Sequence, residues 1–230
     1  MAWFRKAVSS MINITWTPRQ AEFQRLEDSK FPDAHVRSYL VEVRDFIPED
    51  YHEKVFLCGG FGASFVGLTE DFGDIDIFCN SKKAFDELLA LLQRDSENEQ
   101  VAAMVDRPDY GRLWKFKRAG QRFDLVEVSP MAGDNVNIPA ILASFDISWC
   151  MAGVSLGEIT EAWFHPDAFS DEVKVCGDNV KHIDATQTRV KKYADRVKSA
   201  NHVHATTVIA ALNNVHDAIA PNSPSPRWDS

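Results

Sequence analysis

Between residues 55 and 78 the chain reads Val-Phe-Leu-Cys-Gly-Gly-Phe-Gly-Ala-Ser-Phe-Val-Gly-Leu-Thr-Glu-Asp-Phe-Gly-Asp-Ile-Asp-Ile-Phe, a pattern that few folds can accommodate. The apolar run before Gly59 has the length of a short buried strand. Asp74-Ile75-Asp76-Ile77-Phe78 alternates as a second strand, with Asp74 and Asp76 on one face and Ile75 and Ile77 on the other. Two carboxylates side by side repel each other unless a cation neutralises them. Ligands that are all oxygen suit a hard ion such as Mg²⁺. Gly59 and Gly60, lacking Cβ atoms, let backbone N–H groups approach an anion. A helical turn opening at Phe61 would aim its free N–H groups at the same place, and Ser64 adds a hydroxyl donor. Either half alone also fits a turn before a strand with solvated acids. Together they fit a phosphate cradle beside a metal site.

The rest of the composition narrows the class. At 230 residues the chain can bury one substantial core, with room for a small helical addition. A net charge of −9 argues against a broad nucleic-acid footprint, though not against a local basic patch. No apolar run reaches the length of a bilayer span. The opening Met-Ala-Trp-Phe-Arg-Lys lacks the apolar core of a signal peptide, so a cytoplasmic protein without a membrane partner is expected. Cys58, Cys79, Cys150 and Cys176 are too scattered for a zinc site, and disulfides are not expected.

Along the chain, Thr17-Pro18-Arg19-Gln20 carries the signals of a helix start, running to about residues 29–32. A second helix capped by Asp33 places Val36, Tyr39, Leu40, Val43 and Ile47 on one face. Ser81 caps a third, containing Phe85, Leu88, Leu89 and Leu92. A short strand at 101–105 and a turn at 106–111 lead into a hairpin, 112–118 with 121–128, around Ala119-Gly120. Its second strand sets Asp124 beside Val126 and Val128, and Glu127 on the opposite face with Phe123 and Leu125. A carboxylate among valines is compensated if it faces a metal; backbone hydrogen bonds at a strand end are the other explanation. Residues 158–164 and 166–171 read as helical with a break at His165-Pro166. In a helix at 186–199, Val190, Tyr193, Ala194 and Val197 form the apolar face and Arg189, Lys192 and Arg196 a basic stripe. His202 and His204 read as surface residues, 208–219 as a last helix, and 221–230 as a disordered tail.

Gly59, Gly60, Asp74 and Asp76 resemble the signature of the DNA polymerase β nucleotidyltransferase superfamily. That signature is a hydrophobic residue, Gly-Gly or Gly-Ser, a gap of about nine to thirteen residues, then Asp-hydrophobic-Asp-hydrophobic. A second segment, Ser144-Phe145-Asp146-Ile147-Ser148-Trp149-Cys150, resembles the Arg-Arg-Asp-Phe-Thr-x-Asn of the head domain of tRNA nucleotidyltransferases and bacterial poly(A) polymerases. Asp146 matches and Ser148 replaces Thr, while Ser144, Phe145 and Cys150 stand where that pattern has its arginines and Asn. Phe145 and Trp149 are either core residues or a surface on which a base stacks.

The resemblance covers residues 54–155 and implies an α/β (α+β) fold, a mixed twisted sheet with helices packed on it. It divides the chain into a helical segment at 1–50, a catalytic core at 51–160, a helical segment at 161–220 and the tail. It implies two Mg²⁺ ions, with Mn²⁺ as a substitute, held by Asp74, Asp76 and a third carboxylate, Asp124 or else Glu127. The substrate would be an NTP such as ATP, bound by Gly59, Gly60, Ser64, Asp146 and a basic residue of the late helix, Lys191 or Lys192. Its NMP would pass to an acceptor hydroxyl on an RNA end, a protein or a small molecule, releasing pyrophosphate. The alternative is a catalytically silent nucleotide-binding or scaffolding module with the same fold, a reading that the absent arginine pair favours.

Overall fold

The computed structural model describes residues 16–26, 34–107, 111–128, 136–158, 162–180 and 182–219. The expected Asp33 cap, the helix end at 29–32 and the tail at 221–230 lie outside these residues. In chain order, the described strands and helices begin with Gln24–Arg25 (β1), Ala34–Phe46 (α1), Val55–Cys58 (β2), Gly60–Phe65 (α2) and Ile75–Cys79 (β3). Lys82–Leu92 (α3), Glu99–Gln100 (β4), Val105–Arg107 (β5), Gly111–Arg118 (β6) and Gln121–Glu127 (β7) follow. Ile138–Leu142 (α4), Ala152–Ser155 (β8), Ala162–Phe164 (β9), Ile183–Ala194 (α5) and His202–Ile219 (α6) complete the set.

The alternation read at 74–78 is realised in β3, where Ile75, Ile77 and Cys79 are buried while Asp76 and Phe78 are only partly so. Helix α3 starts where the sequence places it, because the Ser81 hydroxyl accepts the Ala84 N–H at 3.2 Å. Helix α1 turns Val36, Leu40 and Val43 inward at helical spacing.

The nine described strands form one mixed sheet in the order β1-β9-β8-β2-β3-β7-β6-β4, with β5 also on β6. Only β3 and β7 pair in parallel; the remaining neighbours are antiparallel. Each face of the sheet carries its own apolar cluster. The larger one joins Leu57, Ile75, Ile77, Phe116, Phe123 and Leu125 to helices α1, α2 and α3. A smaller one on the other face gathers Phe56, Cys58, Ile138, Ile141, Leu142 and Met151, with Phe78 against it. Asp76 alternates onto that second face. All four cysteines are buried and free, and no helix among the described residues is long and apolar enough to cross a membrane.

Several local expectations give way to the sheet edge. From Thr17 no long helix forms; a single 3₁₀ turn, Gln20–Glu22, precedes β1. The backbone there bonds outward instead: Gln24 pairs with Phe164, and the Leu26 N–H donates to the Ala162 carbonyl at 2.9 Å. Phe23 and Leu26 are buried by that docking. For the same reason Ala162–Phe164 is strand rather than helix, and the helix expected at 166–171 is reduced to the 3₁₀ turn Pro166–Phe169. Residues 101–104 are not strand; pairing occurs on either side of them, at β4 and β5. Val101 and Met104 stay exposed, so no core face there draws an alternating pattern into line. Helix α5 starts earlier than expected, at Ile183, and ends at Ala194. Helix α6 likewise starts early, with the Asn201 side chain accepting the His204 N–H.

Candidate functional site

The register of three strands builds the site. Cys58 of β2 lies opposite Asp76 of β3, and Asp76 lies opposite Asp124 of β7. Residues facing each other in adjacent strands send their side chains to the same face, and Asp74, two residues before Asp76, joins them. One oxygen from each of Asp74, Asp76 and Asp124 lies within 4.8 Å of the other two. The hairpin register places Lys115 of β6 opposite Asp124, and its ammonium pairs with that carboxylate. From α5, Lys192 Nζ approaches Asp74 Oδ1 at 3.6 Å.

The electrostatics follow from this crowding. Burial first, then the charges of Asp74 and Asp124, push the Asp76 carboxyl up to about 8. Asp124, 6% exposed, is also raised, chiefly by burial and against the pull of Lys115. A set of hard oxygen donors that resists full ionisation on its own fits a divalent cation, which would replace repulsion with coordination.

The turn after β2 is built against these acids. Gly59 has φ +68°, a conformation that L side chains rarely adopt. A Cβ there would stand 2.8 Å from Asp76 Oδ2. Gly60 opens α2, and a Cβ on it would stand 3.8 Å from both the Phe72 Cβ and the Tyr193 hydroxyl. Ser64 is brought into α2 as expected, but its hydroxyl is sealed inside the fold without a hydrogen-bond partner among the described residues.

Glu127 is not part of the cluster. It alternates to the other face, where Arg112 Nε holds it at 2.9 Å and Asp86 takes the other end of the guanidinium at 2.6 Å. Asp146 is buried and enclosed by α5: Thr186 donates its hydroxyl to it, and Arg189 donates from Nε at 2.9 Å and from a terminal nitrogen at 2.5 Å. Trp149 is fully buried and donates to the Ser170 carbonyl at 2.8 Å, which makes it core rather than a stacking surface. Phe145 packs on Phe78, ring centroids 5.7 Å apart.

Helix α5 and the residues after it also hold the loop that delivers Asp74. Arg196 pairs with Asp71 at 3.7 Å, Lys198 with Glu70 at 3.7 Å, and Thr69 bridges to Val197. Of the two lysines considered for the triphosphate, Lys191 is exposed and Lys192 is the one that turns to the acids. Two residues beside the site went unassigned in the sequence. Lys115 was findable, since a hairpin about Ala119-Gly120 pairs it with Asp124. Tyr193 carried no local signal beyond an apolar helix face.

No family model matches the chain, and no curated protein matches it. Solved structures do. The Thermotoga maritima CCA-adding enzyme complexed with tRNA aligns with a TM-score of 0.52 at 14% identity, over 89% of this chain and 48% of that one. A CCA-adding enzyme in complex with ATP aligns with a TM-score of 0.52 at 14% identity, over 89% and 49%. Its counterpart with CTP gives a TM-score of 0.52 at 14% identity, over 89% and 48%. At this identity the likeness establishes a shared fold, and the chain spans about half the length of the enzymes it matches.

Proposed function

We propose that the chain is a divalent-metal-dependent nucleotidyltransferase, moving an NMP from an NTP to an acceptor hydroxyl with release of pyrophosphate. The observation that carries this reading is the convergence of Asp74, Asp76 and Asp124 beside the Gly59-Gly60 turn. The fold shared with enzymes solved in complex with ATP, CTP and tRNA supports it, and supports an NTP as substrate and RNA as one candidate acceptor.

Asp74, Asp76 and Asp124 would hold two Mg²⁺ ions, or Mn²⁺ in their place. When bound, such ions lower the pKa of a hydroxyl nucleophile and offset the charge of the phosphates. The remaining roles belong to the protein. Gly59 and Gly60 present a backbone surface that a triphosphate can approach closely. Lys192 leaves Asp74 to meet phosphate oxygens, adding a cation where negative charge accumulates. Asp124 accepts the proton of the acceptor hydroxyl once Lys115 releases it. Asp146 contributes at one remove, fixing Arg189 and with it the helix that carries Lys192. Ser64 would contribute its unpaired hydroxyl only if α2 turned it toward the phosphates.

The second reading, a silent nucleotide-binding or scaffolding module, is favoured by the absent arginine pair and by Lys115 and Lys192, which already pair with two of the three acids. Incubation with Mg²⁺ and each α-labelled NTP, offering tRNA, short RNA and the protein itself as acceptors, separates the two. Transfer of label that disappears in Asp76→Asn supports the enzyme. Binding of NTP with no transfer to any acceptor supports the silent module.

A further inference from the structure

Tyr193 sits where a purely structural residue has no need of a hydroxyl. Its residue as a whole is 4% exposed, packed in the main core with Val190, Ala194 and Val197. Its oxygen points at the turn after β2, lying 3.8 Å from the position a Cβ on Gly60 would take. Asp74 and Asp76 both act on it electrostatically, which places all three in one neighbourhood. No hydrogen bond joins the hydroxyl to any described residue. Three buried side-chain polar atoms are sealed without a partner among the described residues, Ser64 Oγ, Asn80 Oδ1 and Trp114 Nε1. The Tyr193 oxygen is not one of them, so the small exposed fraction of this residue includes its tip.

The ring packs as phenylalanine would, and the hydroxyl at the exposed tip is unpaired among the described residues. That leaves the O–H free to bond a ligand lying at the turn. Whatever lies on Gly60 meets the backbone of the turn on one side and this O–H on another. Lys192, the preceding residue of α5, brings an ammonium to the adjacent acid. A neutral O–H donor against a glycine backbone, with a cation on the neighbouring residue, favours an anionic oxygen ligand.

We propose that Tyr193 donates a hydrogen bond to a phosphate oxygen of the NTP lying over Gly60, an assignment that rests on the nucleotidyltransferase reading above. Tyr193 thereby acts as a binding residue for the phosphate chain, indifferent to the base. With Asp74, Asp76 and Arg196 supplying the charge of this neighbourhood, a neutral phenol has one role there: it orients the chain without adding charge.

Calorimetric titration of the full chain tests this, with Mg²⁺-tripolyphosphate, each of the four NTPs and the corresponding nucleosides, on wild type and Tyr193→Phe. The titrations are run well below both melting midpoints, which are measured alongside, so that a loss of folding is not read as a loss of binding. The expected result is an affinity about five- to tenfold weaker in Tyr193→Phe, the worth of one neutral hydrogen bond. That factor should be the same for tripolyphosphate and all four NTPs. Equal affinity of the two proteins for tripolyphosphate and NTPs overturns the role of Tyr193 while leaving the nucleotidyltransferase reading intact. A loss confined to one base, or shared by the nucleosides, overturns it too, by moving the contact to the base or sugar. No binding of NTP or tripolyphosphate by wild type brings down both readings together.

Discussion

Asp76 and Asp146 are both inward-facing carboxylates, and the protein treats them in opposite ways. Asp146 is met from α5 by the Thr186 hydroxyl and the Arg189 guanidinium, which satisfy its charge inside the fold. Asp76 is met by two more carboxylates, and its own carboxyl is driven up to about 8. One acid is a fastener between a loop and a helix. The other is held in a place that is unfavourable until something positive arrives. On the proposed function the contrast separates charge used for stability from charge kept for a ligand, and each member of it makes different demands on mutation.

The sharpest break is Asp76→Asn. It should lower transfer by about three orders of magnitude or more, the scale expected when a metal-ligating or catalytic carboxylate is lost. The same substitution removes a like charge, so the melting midpoint should not fall, which circular dichroism can check. Arg189→Ala should act on stability first. Leaving Asp146 buried with only Thr186 should destabilise the fold by about 2–3 kcal/mol, less than the usual loss for a broken buried pair because the guanidinium is itself partly exposed. Denaturant unfolding measures that loss directly. Gly59→Ala lies between the two regimes, costing about 1–2 kcal/mol from the left-handed backbone. Its methyl would also press on Asp76, 2.8 Å away, so metal affinity should drop with stability.

The remaining effect is on pH. Asp76 titrates near 8 in the folded chain and near 3.8 when unfolded, so the folded state holds the extra proton between those values. The stability this gives is complete below about pH 4 and lost as pH rises through about 8. Without divalent ions, wild type should therefore fall progressively below Asp76→Asn in melting temperature between pH 5 and 9, by about 2–4 °C per kcal/mol. Added Mg²⁺ should narrow that gap, most at high pH where the carboxylates are free to coordinate. A gap that does not change with pH would mean that Asp76 is not strained by its neighbours.

The half of the site lying on β2 and β3 was legible because its signals are local. Gly-Gly after an apolar run and Asp-x-Asp in an alternating strand declare both backbone and face within a few residues. Asp124 was legible at one remove, as a carboxylate among valines, and the parallel register of β7 on β3 shows why it and not Glu127 reaches the cluster. What escaped depends on contacts distant in the chain. The partner of Asp146 is Arg189, 43 residues later, and nothing near Asp146 announces it. The hydroxyl of Tyr193 matters only because Gly60 lies against it. The misread segments have a common cause as well. Two- and three-residue strands such as β1 and β9 are too short to show alternation, and the pairing between them outweighs the helix-start signal at Thr17-Pro18.

Direct measurement of divalent binding bears most heavily on the account. Mn²⁺ titration followed by electron paramagnetic resonance should show saturable binding to wild type. Asp76→Asn and Asp124→Asn should each weaken it by about tenfold or more. A wild-type protein that takes up no Mn²⁺ at millimolar concentration, or variants that bind as well as wild type, would contradict the claim that these three carboxylates form a metal centre.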